Sequence, residues 1–251
     1  MTRLVAIVFA LGLCAAASHA QQTPDCPVPN YLLYGDSALD RVNKAVAEKK
    51  ALKITVVGTA SSTLPGHDGP SNAFPAKLAV ALKEQLPGIS VSVTTYAKPR
   101  QTAAQMADSL EKLLLDEKPD LVVWQSGTFD ALQGTDPEQY RASVAEGVET
   151  VQAGGADVIL MNMQYSPRTE SMLPLGGYAD SMRWVARERE VPLFDRLAIM
   201  RHWYDNGVID LYAATKNITV AKRVHDCIGR SLASMIVEAA RLEPFRVKAA
   251  Q

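Results

Sequence analysis

A serine-rich turn is the first feature of the sequence whose residue types could do chemistry. The apolar, β-branched run Leu52–Val57 is followed by Gly58-Thr59-Ala60-Ser61-Ser62-Thr63-Leu64-Pro65-Gly66. Small residues at this point predict a tight turn from a buried strand into a helix, which would raise a serine hydroxyl above the sheet. The backbone N–H groups of the following helix could hold an oxyanion. The turn is therefore a candidate nucleophile site, with helix capping by its serines as the alternative.

A histidine is the second group that such chemistry needs, since an imidazole can take the proton of a serine hydroxyl. His225 precedes the last predicted helix and is the best placed histidine, although a histidine there could also cap or pack the helix. His67 lies in the serine-rich loop and could line a pocket. His202 belongs to an amphipathic stretch and is expected to pack or to face solvent.

Five apolar runs alternate with longer amphipathic stretches and would position these groups. The predicted strands are Leu52–Val57, Ile89–Thr95, Leu121–Gln125, Asp157–Met163 and Val191–Phe194. The predicted helices are Ala73–Gln85, Thr102–Glu117, Pro137–Ala153, Tyr178–Glu190, Leu197–Tyr204 and about Val224–Leu242. This alternation predicts an α/β fold, a three-layer αβα sandwich around a five-stranded parallel sheet. Functional residues would then gather at the carboxyl ends of the strands.

Four sequence blocks in this order resemble the SGNH (GDSL-like) hydrolase family. They are the serine-rich turn, Phe74-Pro75-Ala76-Lys77-Leu78, Trp124-Gln125-Ser126-Gly127-Thr128-Phe129-Asp130-Ala131, and His225 with Gly229 four residues on. The resemblance covers roughly residues 52–242 and implies a divergent member with the flavodoxin-like sheet of that family. It also implies ester hydrolysis without a cofactor, with Ser61 as the nucleophile and His225 as the general base. Ser62 is the alternative nucleophile, one residue on.

Other positions of the family's site carry unexpected residues in this sequence. Arg100 replaces an oxyanion-hole glycine, Phe129 replaces an oxyanion-hole asparagine, and Lys222 replaces the triad carboxylate. Phe129 cannot donate a hydrogen bond, and losing one such donor typically lowers the rate ~10²–10³-fold. Backbone amides near Ser61 and Gly127 are then expected to hold the oxyanion, and a backbone amide near Arg100 could still contribute.

Two further groups of side chains could complete the site. The family's aspartate before the nucleophile is missing in this sequence. A carboxylate could still orient His225, since Asp195 or Asp210 could reach it through the tertiary fold. Asp226 adjoins His225 but is expected to point elsewhere. An unusually polar loop after the fourth predicted strand either lines the pocket or is simply solvated. Its candidates are Gln164, Tyr165 and Arg168.

A second serine motif, Gly35-Asp36-Ser37, follows a short apolar run near the N-terminus. It lacks the threonine and glycine that follow the family's serine, and the next helix has no Pro-x-x-Leu. Asp36 or Ser37 is better interpreted as the N-cap of a short helix that ends near Glu48. Ser37 therefore remains only an alternative nucleophile.

The N-terminus has the features of an exported chain. Arg3, the apolar run Leu4–Ala17 and Ser18-His19-Ala20 predict a bacterial-type signal peptide over residues 1–20. The prediction is then a single domain over residues 21–251, with 21–50 as an N-terminal extension. Such a protein would be periplasmic or secreted, without a stable membrane anchor.

The cysteines and the net charge indicate which covalent links and binding partners to expect. Cys26 and Cys227 would remain after cleavage, and in an oxidising compartment they predict one disulfide, with two buried thiols as the alternative. Cys14 could be lipidated, but the bulky Leu13 opposes a lipobox. The formal net charge of −1 gives no electrostatic reason to expect nucleic acid as a partner. No Cys/His cluster has metal-ligand spacing, so neither a metal nor a cofactor is expected.

Three functions fit these observations. The first is serine-dependent hydrolysis of a small or carbohydrate-linked ester in the periplasm, with O-acetyl groups of envelope polysaccharides as the expected substrate. The second keeps the acyl-serine but transfers the acyl group to a sugar hydroxyl. The third is a non-catalytic binding protein of the cell envelope, which the residues at Phe129, Arg100 and Lys222 would suit. The presence of both Ser61 and His225 favours the hydrolase.

Overall fold

The fold is an α/β sandwich around one parallel sheet. The computed structural model describes residues 26–33, 35–212 and 217–242. The five strands lie in the order β2-β1-β3-β4-β5, and every neighbouring pair is parallel. They are β1 Ala51–Gly58, β2 Ser90–Ala97, β3 Leu121–Gln125, β4 Asp157–Met161 and β5 Leu193–Phe194. This arrangement confirms the predicted fold class.

Helices cover the sheet in two groups. The helices are α1 Asn30–Leu33, α2 Asp40–Lys44, α3 Gly69–Asn72, α4 Phe74–Gln85, α5 Ala103–Glu117, α6 Thr128–Gln133, α7 Pro137–Ala153, α8 Pro167–Met172, α9 Leu175–Glu188, α10 Arg196–Asp205 and α11 Ile218–Ala239. One group pairs α4 with α11, and in the other α7 packs between α5 and α9. Strands β3 and β4 are mostly apolar and buried, as is typical of parallel strands covered by helices on both faces.

Helix starts were predicted accurately where caps are strong. Thr102 and Gln105 form a reciprocal capping box at the start of α5, and Asp136 caps α7 through two backbone N–H groups. Pro137, at the first position of α7, fixes a helical φ where no donor is needed.

Two of the helix starts that were predicted wrongly concern candidate site residues. The N-terminal helix begins at Asp40 after Leu39 and continues as a π-helical turn to Lys49, so neither Asp36 nor Ser37 is its N-cap. The last helix begins at Ile218, where the Asn217 side chain accepts a hydrogen bond from Thr219 N–H. His225 therefore lies about two turns inside α11 rather than before it.

The N-terminal arm is tied to α11 by a disulfide between Cys26 and Cys227, with a Cα–Cα distance of 5.7 Å. This confirms the predicted pairing. The predicted signal peptide over residues 1–20 and the lipidation site Cys14 lie outside the described residues. Within the part of the chain that the structure describes, no helix has the length and apolar character needed to cross a bilayer.

Candidate functional site

The serine-rich turn stands at the carboxyl end of β1, as predicted. A 3₁₀ turn over Ala60–Ser62 follows the strand, and Ser62 N–H donates to Thr59 O at 2.9 Å. A Cβ at Gly58 would lie 2.3 Å from Ser62 Oγ, so a larger residue here would displace the Ser62 side chain. Ser62 is fully buried beneath the turn, whereas Ser61 is partly exposed.

Gln125 holds this turn from the neighbouring strand. It is the last residue of β3, fully buried, and its Oε1 lies 3.1 Å from Thr59 N, 3.1 Å from Thr59 Oγ1, 3.2 Å from Ser61 Oγ and 3.1 Å from Ser62 Oγ. Four donors exceed the two lone pairs of one carbonyl oxygen, so the hydroxyls compete for it. Gln125 Nε2 is buried without a hydrogen-bond partner among the described residues. One amide oxygen therefore fixes the position of both serines.

The guanidinium of Arg196 also contacts Ser61. Its Nη1 lies 3.2 Å from Ser61 O and 3.3 Å from Ser61 Oγ, and its Nη2 lies 3.4 Å from Gln164 Oε1. The side chain is only 1% exposed. Burial lowers the pKa of Arg196 to about 10, which still leaves the guanidinium charged at neutral pH.

A polar network at the start of α10 places Arg196, the first residue of that helix. Asn162 donates from Nδ2 to Asp195 Oδ1 at 2.7 Å and accepts from Leu197 N–H at 2.9 Å. Asp195 also accepts from Ala198 N–H at 3.0 Å and caps the helix. The end of β4 and the start of α10 are therefore fixed to each other, and the guanidinium with them.

His225 enters the site from α11 and is 5% exposed. Its Nδ1 accepts a hydrogen bond from Phe74 N–H at 2.9 Å, and the two rings stack with centroids 6.0 Å apart. Since Nδ1 is an acceptor, the neutral ring carries its proton on Nε2. Burial, with the positive charge of Arg196 as a second cause, lowers the pKa of His225 to about 3.

These side chains share one cavity of about 320 Å³. Of the predicted site residues, the structure brings Ser61, His225 and Gln164 together here. Tyr165, the neighbour of Gln164, also lines the cavity. The remaining wall is mainly apolar and includes Leu64, Met200, Leu211 and Val224.

Four predicted pocket residues do not line this cavity. Ser62 points down to Gln125 instead, and Arg100, Gly127 and Phe129 are absent from the cavity wall. Arg100 has a φ of 59°, a left-handed conformation that favours glycine, as expected for a position where the family has one. In this structure none of these four residues contributes to the wall of the cavity, and the role expected for them in the pocket or the oxyanion hole remains a prediction.

No carboxylate orients His225 among the described residues. Asp195 Oδ2 instead accepts a hydrogen bond from Arg183 Nε at 2.7 Å, and Asp226 forms an ion pair with Arg230 at 3.1 Å. Lys222, at the family's carboxylate position, forms an ion pair with Asp68 in the loop after the serine turn.

The second serine motif lies elsewhere. Ser37 lines a different cavity, together with Val191 and Leu193 at the start of β5. That position is at the amino end of the sheet, opposite the edge that carries Ser61, so Ser37 does not join this site.

Sequence reasoning missed Gln125 and Arg196. Both follow the pattern that could have found them, since each stands at the carboxyl end of a strand, β3 or β5. Gln125 was counted only as part of a strand and of a family block, and Arg196 was assigned to no element, since the predicted helix began at Leu197. Only the fold shows that their side chains meet at Ser61. Metal ligation has no support in the described ranges, where no group of three or more His, Cys, Asp or Glu side chains could hold an ion.

Comparison with known proteins places this site in a family. A model described as the Non-GDSL lipase-like family matches residues 25–242. Esterase TesA of Pseudomonas aeruginosa is 32% identical over 136 residues, which is 54% of this chain and 65% of that protein. The arylesterase of Vibrio mimicus is 27% identical over 124 residues, 49% of this chain and 60% of that protein. The chain therefore spans less than two thirds of the length of either relative.

Solved structures show the same fold. The acetylxylan esterase Axe2 from Geobacillus stearothermophilus matches with a TM-score of 0.59 at 17% identity, over 78% of this chain and 97% of that one. The crystal structure of TesA matches with a TM-score of 0.57 at 24% identity, over 72% of this chain and 98% of that one. At these identities the likeness establishes the arrangement of helices and strands alone.

Proposed function

Because the chain belongs to the Non-GDSL lipase-like family, we propose that it is a serine-dependent esterase that acts on a small or carbohydrate-linked acyl ester. One observation carries this proposal. The Ser61 hydroxyl lies in a cavity of about 320 Å³, between a fixed acceptor, Gln125, and a buried cation, Arg196. A cavity of that size admits a small acyl ester.

In the proposed reaction Ser61 Oγ attacks the acyl carbon, and its proton passes to His225. The nearby guanidinium of Arg196 favours negative charge on the serine oxygen, because the two groups meet in a poorly solvated site. The tetrahedral intermediate then collapses: the ester C–O bond breaks, and the alcohol leaves with the proton that His225 had taken. Water hydrolyses the acyl-serine, which releases the acid and restores the Ser61 hydroxyl.

The general-base role of His225 requires a change from the resting structure. Nε2 carries the proton there, so it donates and cannot accept. To take the serine proton at Nε2, the ring must first move its own proton to Nδ1 and give up the Phe74 N–H contact. We therefore propose that His225 acts as the general base in the tautomer that carries its proton on Nδ1.

A non-catalytic ligand-binding protein is the second candidate. It is favoured by the same resting tautomer and by the lack of a carboxylate partner for His225 in the described part of the chain. It predicts that the cavity binds its ligand without forming a bond to Ser61.

Covalent labelling and turnover test the proposal together. A fluorophosphonate probe and a short-chain aryl ester are offered to the wild type, Ser61→Ala and Ser62→Ala. We expect Ser61→Ala to lose both labelling and hydrolysis, and Ser62→Ala, which changes a serine buried outside the cavity, to keep both in large part. A wild type that is folded by circular dichroism yet neither labelled nor active on several acyl chains would favour the binding protein.

The proposed location is the periplasm or the medium. The N-terminal sequence supports it, and so does the Cys26–Cys227 disulfide, since such bonds persist in oxidising compartments. Fractionation with N-terminal sequencing of the mature protein tests this. An intact Met1 in the cytoplasmic fraction would contradict it.

A further inference from the structure

Arg196 is a buried cation that has no acidic partner in the described part of the chain. Other arginines of the protein pair with carboxylates, for example Arg183 with Asp195 and Arg189 with Glu149. Across the described residues no carboxylate pairs with Arg196, although it is 1% exposed. A buried charge is ordinarily paired, because the loss of its hydration must be compensated.

The hydrogen bonds that Arg196 makes compensate only weakly for the hydration that its buried charge has lost. All its acceptors are neutral, on Ser61 and Gln164, at 3.2, 3.3 and 3.4 Å. Hydrogen bonds from a guanidinium to a carboxylate are typically about 2.7–2.9 Å long. Arg196 Nε is buried and has no partner among the described residues. The guanidinium therefore retains unused donor capacity.

The position of Arg196 in its helix leaves its positive charge still less compensated. It is the first residue of α10, where the helix dipole presents positive charge and favours an anion over a cation. Phe74 offers the face of its ring, 5.8 Å from the guanidinium carbon, which offsets only part of the charge.

The described residues that line the cavity supply no negative charge. His225 is neutral at physiological pH and Gln164 is an amide, so among these lining residues Arg196 alone is charged. The cavity thus combines one positive charge with mostly apolar walls such as Leu64 and Val224. A ligand that complements it has an apolar body and one anionic group.

We propose that the ligand of this cavity carries a carboxylate that pairs with Arg196. The ester substrates would then be half-esters, in which the acyl chain or the alcohol ends in a second, ionised carboxyl group. This inference rests on the proposed function, because it assigns a charge to the substrate of Ser61.

Binding to a protein that cannot turn over tests the charge requirement. Ser61→Ala is titrated by calorimetry with monomethyl succinate and with methyl butyrate, which differ only in a terminal carboxylate or methyl group. We expect the anion to bind at least tenfold more tightly, and added salt to reduce the difference. Equal binding would overturn the proposal and would leave Arg196 to serve only the charge that develops on the reacting oxygens.

A charge series then assigns the effect to Arg196. In the Ser61→Ala background, Arg196→Gln should abolish the preference for the anion and Arg196→Lys should restore part of it. Arg187→Gln, a change of an exposed arginine in α9, should leave it intact. A preference that survives Arg196→Gln in a protein with an unchanged melting curve contradicts the assignment. If Arg196→Gln does not fold, the comparison of the two ligands in Ser61→Ala still decides the charge requirement.

Failure of this inference and failure of the proposed function give different results. A wild type that resists phosphonate labelling, beside a Ser61→Ala protein that still selects the anion, rejects the esterase and keeps the carboxylate site. A labelled, active wild type without any preference between the two ligands keeps the esterase and rejects the site.

Discussion

Phe74 N–H donates a hydrogen bond to Nδ1 of His225 at 2.9 Å. Phe74 is the first residue of α4, so this N–H is one of the donors that no carbonyl within the helix can satisfy. The contact joins the start of α4 to the third turn of α11. It also determines the tautomer of His225, because Nδ1 accepts this hydrogen bond and Nε2 then carries the proton. Catalysis by His225 as a base depends on that tautomer.

We expect nitrogen NMR of histidine-labelled protein to find His225 neutral, with its proton on Nε2. Burial and the charge of Arg196 lower the pKa of the ring to about 3, so the signal should not titrate between pH 5 and 8. The spectrum of His225→Gln assigns the resonance. A ring that titrates near the ordinary value of 6.5, or carries its proton on Nδ1 at rest, contradicts the structure.

The same shift in pKa predicts how stability changes with pH. Below about pH 6.5 the unfolded chain protonates this histidine, whereas the native protein does so only near pH 3. The unfolded state thus binds more protons in that window, so the free energy of unfolding falls as the pH is lowered through it. Above pH 6.5 His225 adds no pH dependence.

Denaturant unfolding at several pH values measures this effect against His225→Gln. The difference between wild type and variant should decrease toward acid by up to about 1.4 kcal/mol per pH unit, the value for one proton. Other titrating groups cancel in the difference. A difference that stays constant from pH 6.5 to pH 4 would show that His225 titrates normally in the folded state.

Sequence patterns predicted the sheet and most helices because these depend on local signals. The strand Leu121–Gln125 and the helix Pro137–Ala153 were placed at their observed bounds. The first is an apolar run that ends at Gln125, and the second follows an N-cap aspartate and begins with a proline. The start of α11 was missed because the Asn217 cap lies about two turns before Val224, the first buried residue of the helix.

The site was harder to predict because its contacts join distant parts of the chain. Ser61, Gln164 and His225 were found through their places at strand ends or in the family pattern, and they line one cavity. Arg196 contacts Ser61 across 135 positions of sequence, and no local pattern records such a contact. Phe129 was expected in the pocket by analogy with the family, but it does not line this cavity.

Replacement of Gln125 should disorganise the serine turn. Gln125→Met keeps much of the side-chain volume but removes the oxygen that holds Thr59, Ser61 and Ser62. Each buried donor that is left unsatisfied costs about 1–3 kcal/mol, so the variant should be less stable by at least that amount. If Ser61 is the nucleophile, phosphonate labelling should also slow.

The matched control is Gln133→Met, which changes an exposed glutamine at the end of α6. Its melting temperature and its labelling rate should stay close to those of the wild type. If both variants behave alike, the turn does not depend on the Gln125 oxygen.

Close packing of α11 against α4 holds His225 beside Phe74, and Gly229 makes that packing possible. A Cβ on Gly229 would lie 2.6 Å from Lys77 Cβ and 2.8 Å from Leu78 N, so the helices would have to separate. Gly229→Ala should therefore destabilise the protein by about 1–3 kcal/mol, the usual cost of overpacking, and lengthen the Phe74 to His225 contact. The control is Gly176→Ala in α9, where nothing lies within 4 Å of the new methyl group.

Denaturant unfolding of both variants, with the NMR signal of His225, separates the two effects. Gly176→Ala should be neutral or more stable, because alanine favours a helix over glycine by up to about 1 kcal/mol. In Gly229→Ala the pKa of His225 should rise toward its ordinary value as water reaches the ring. Unchanged stability and an unchanged His225 signal in Gly229→Ala would mean that the interface between α4 and α11 can relax, and that it does not set the state of the histidine.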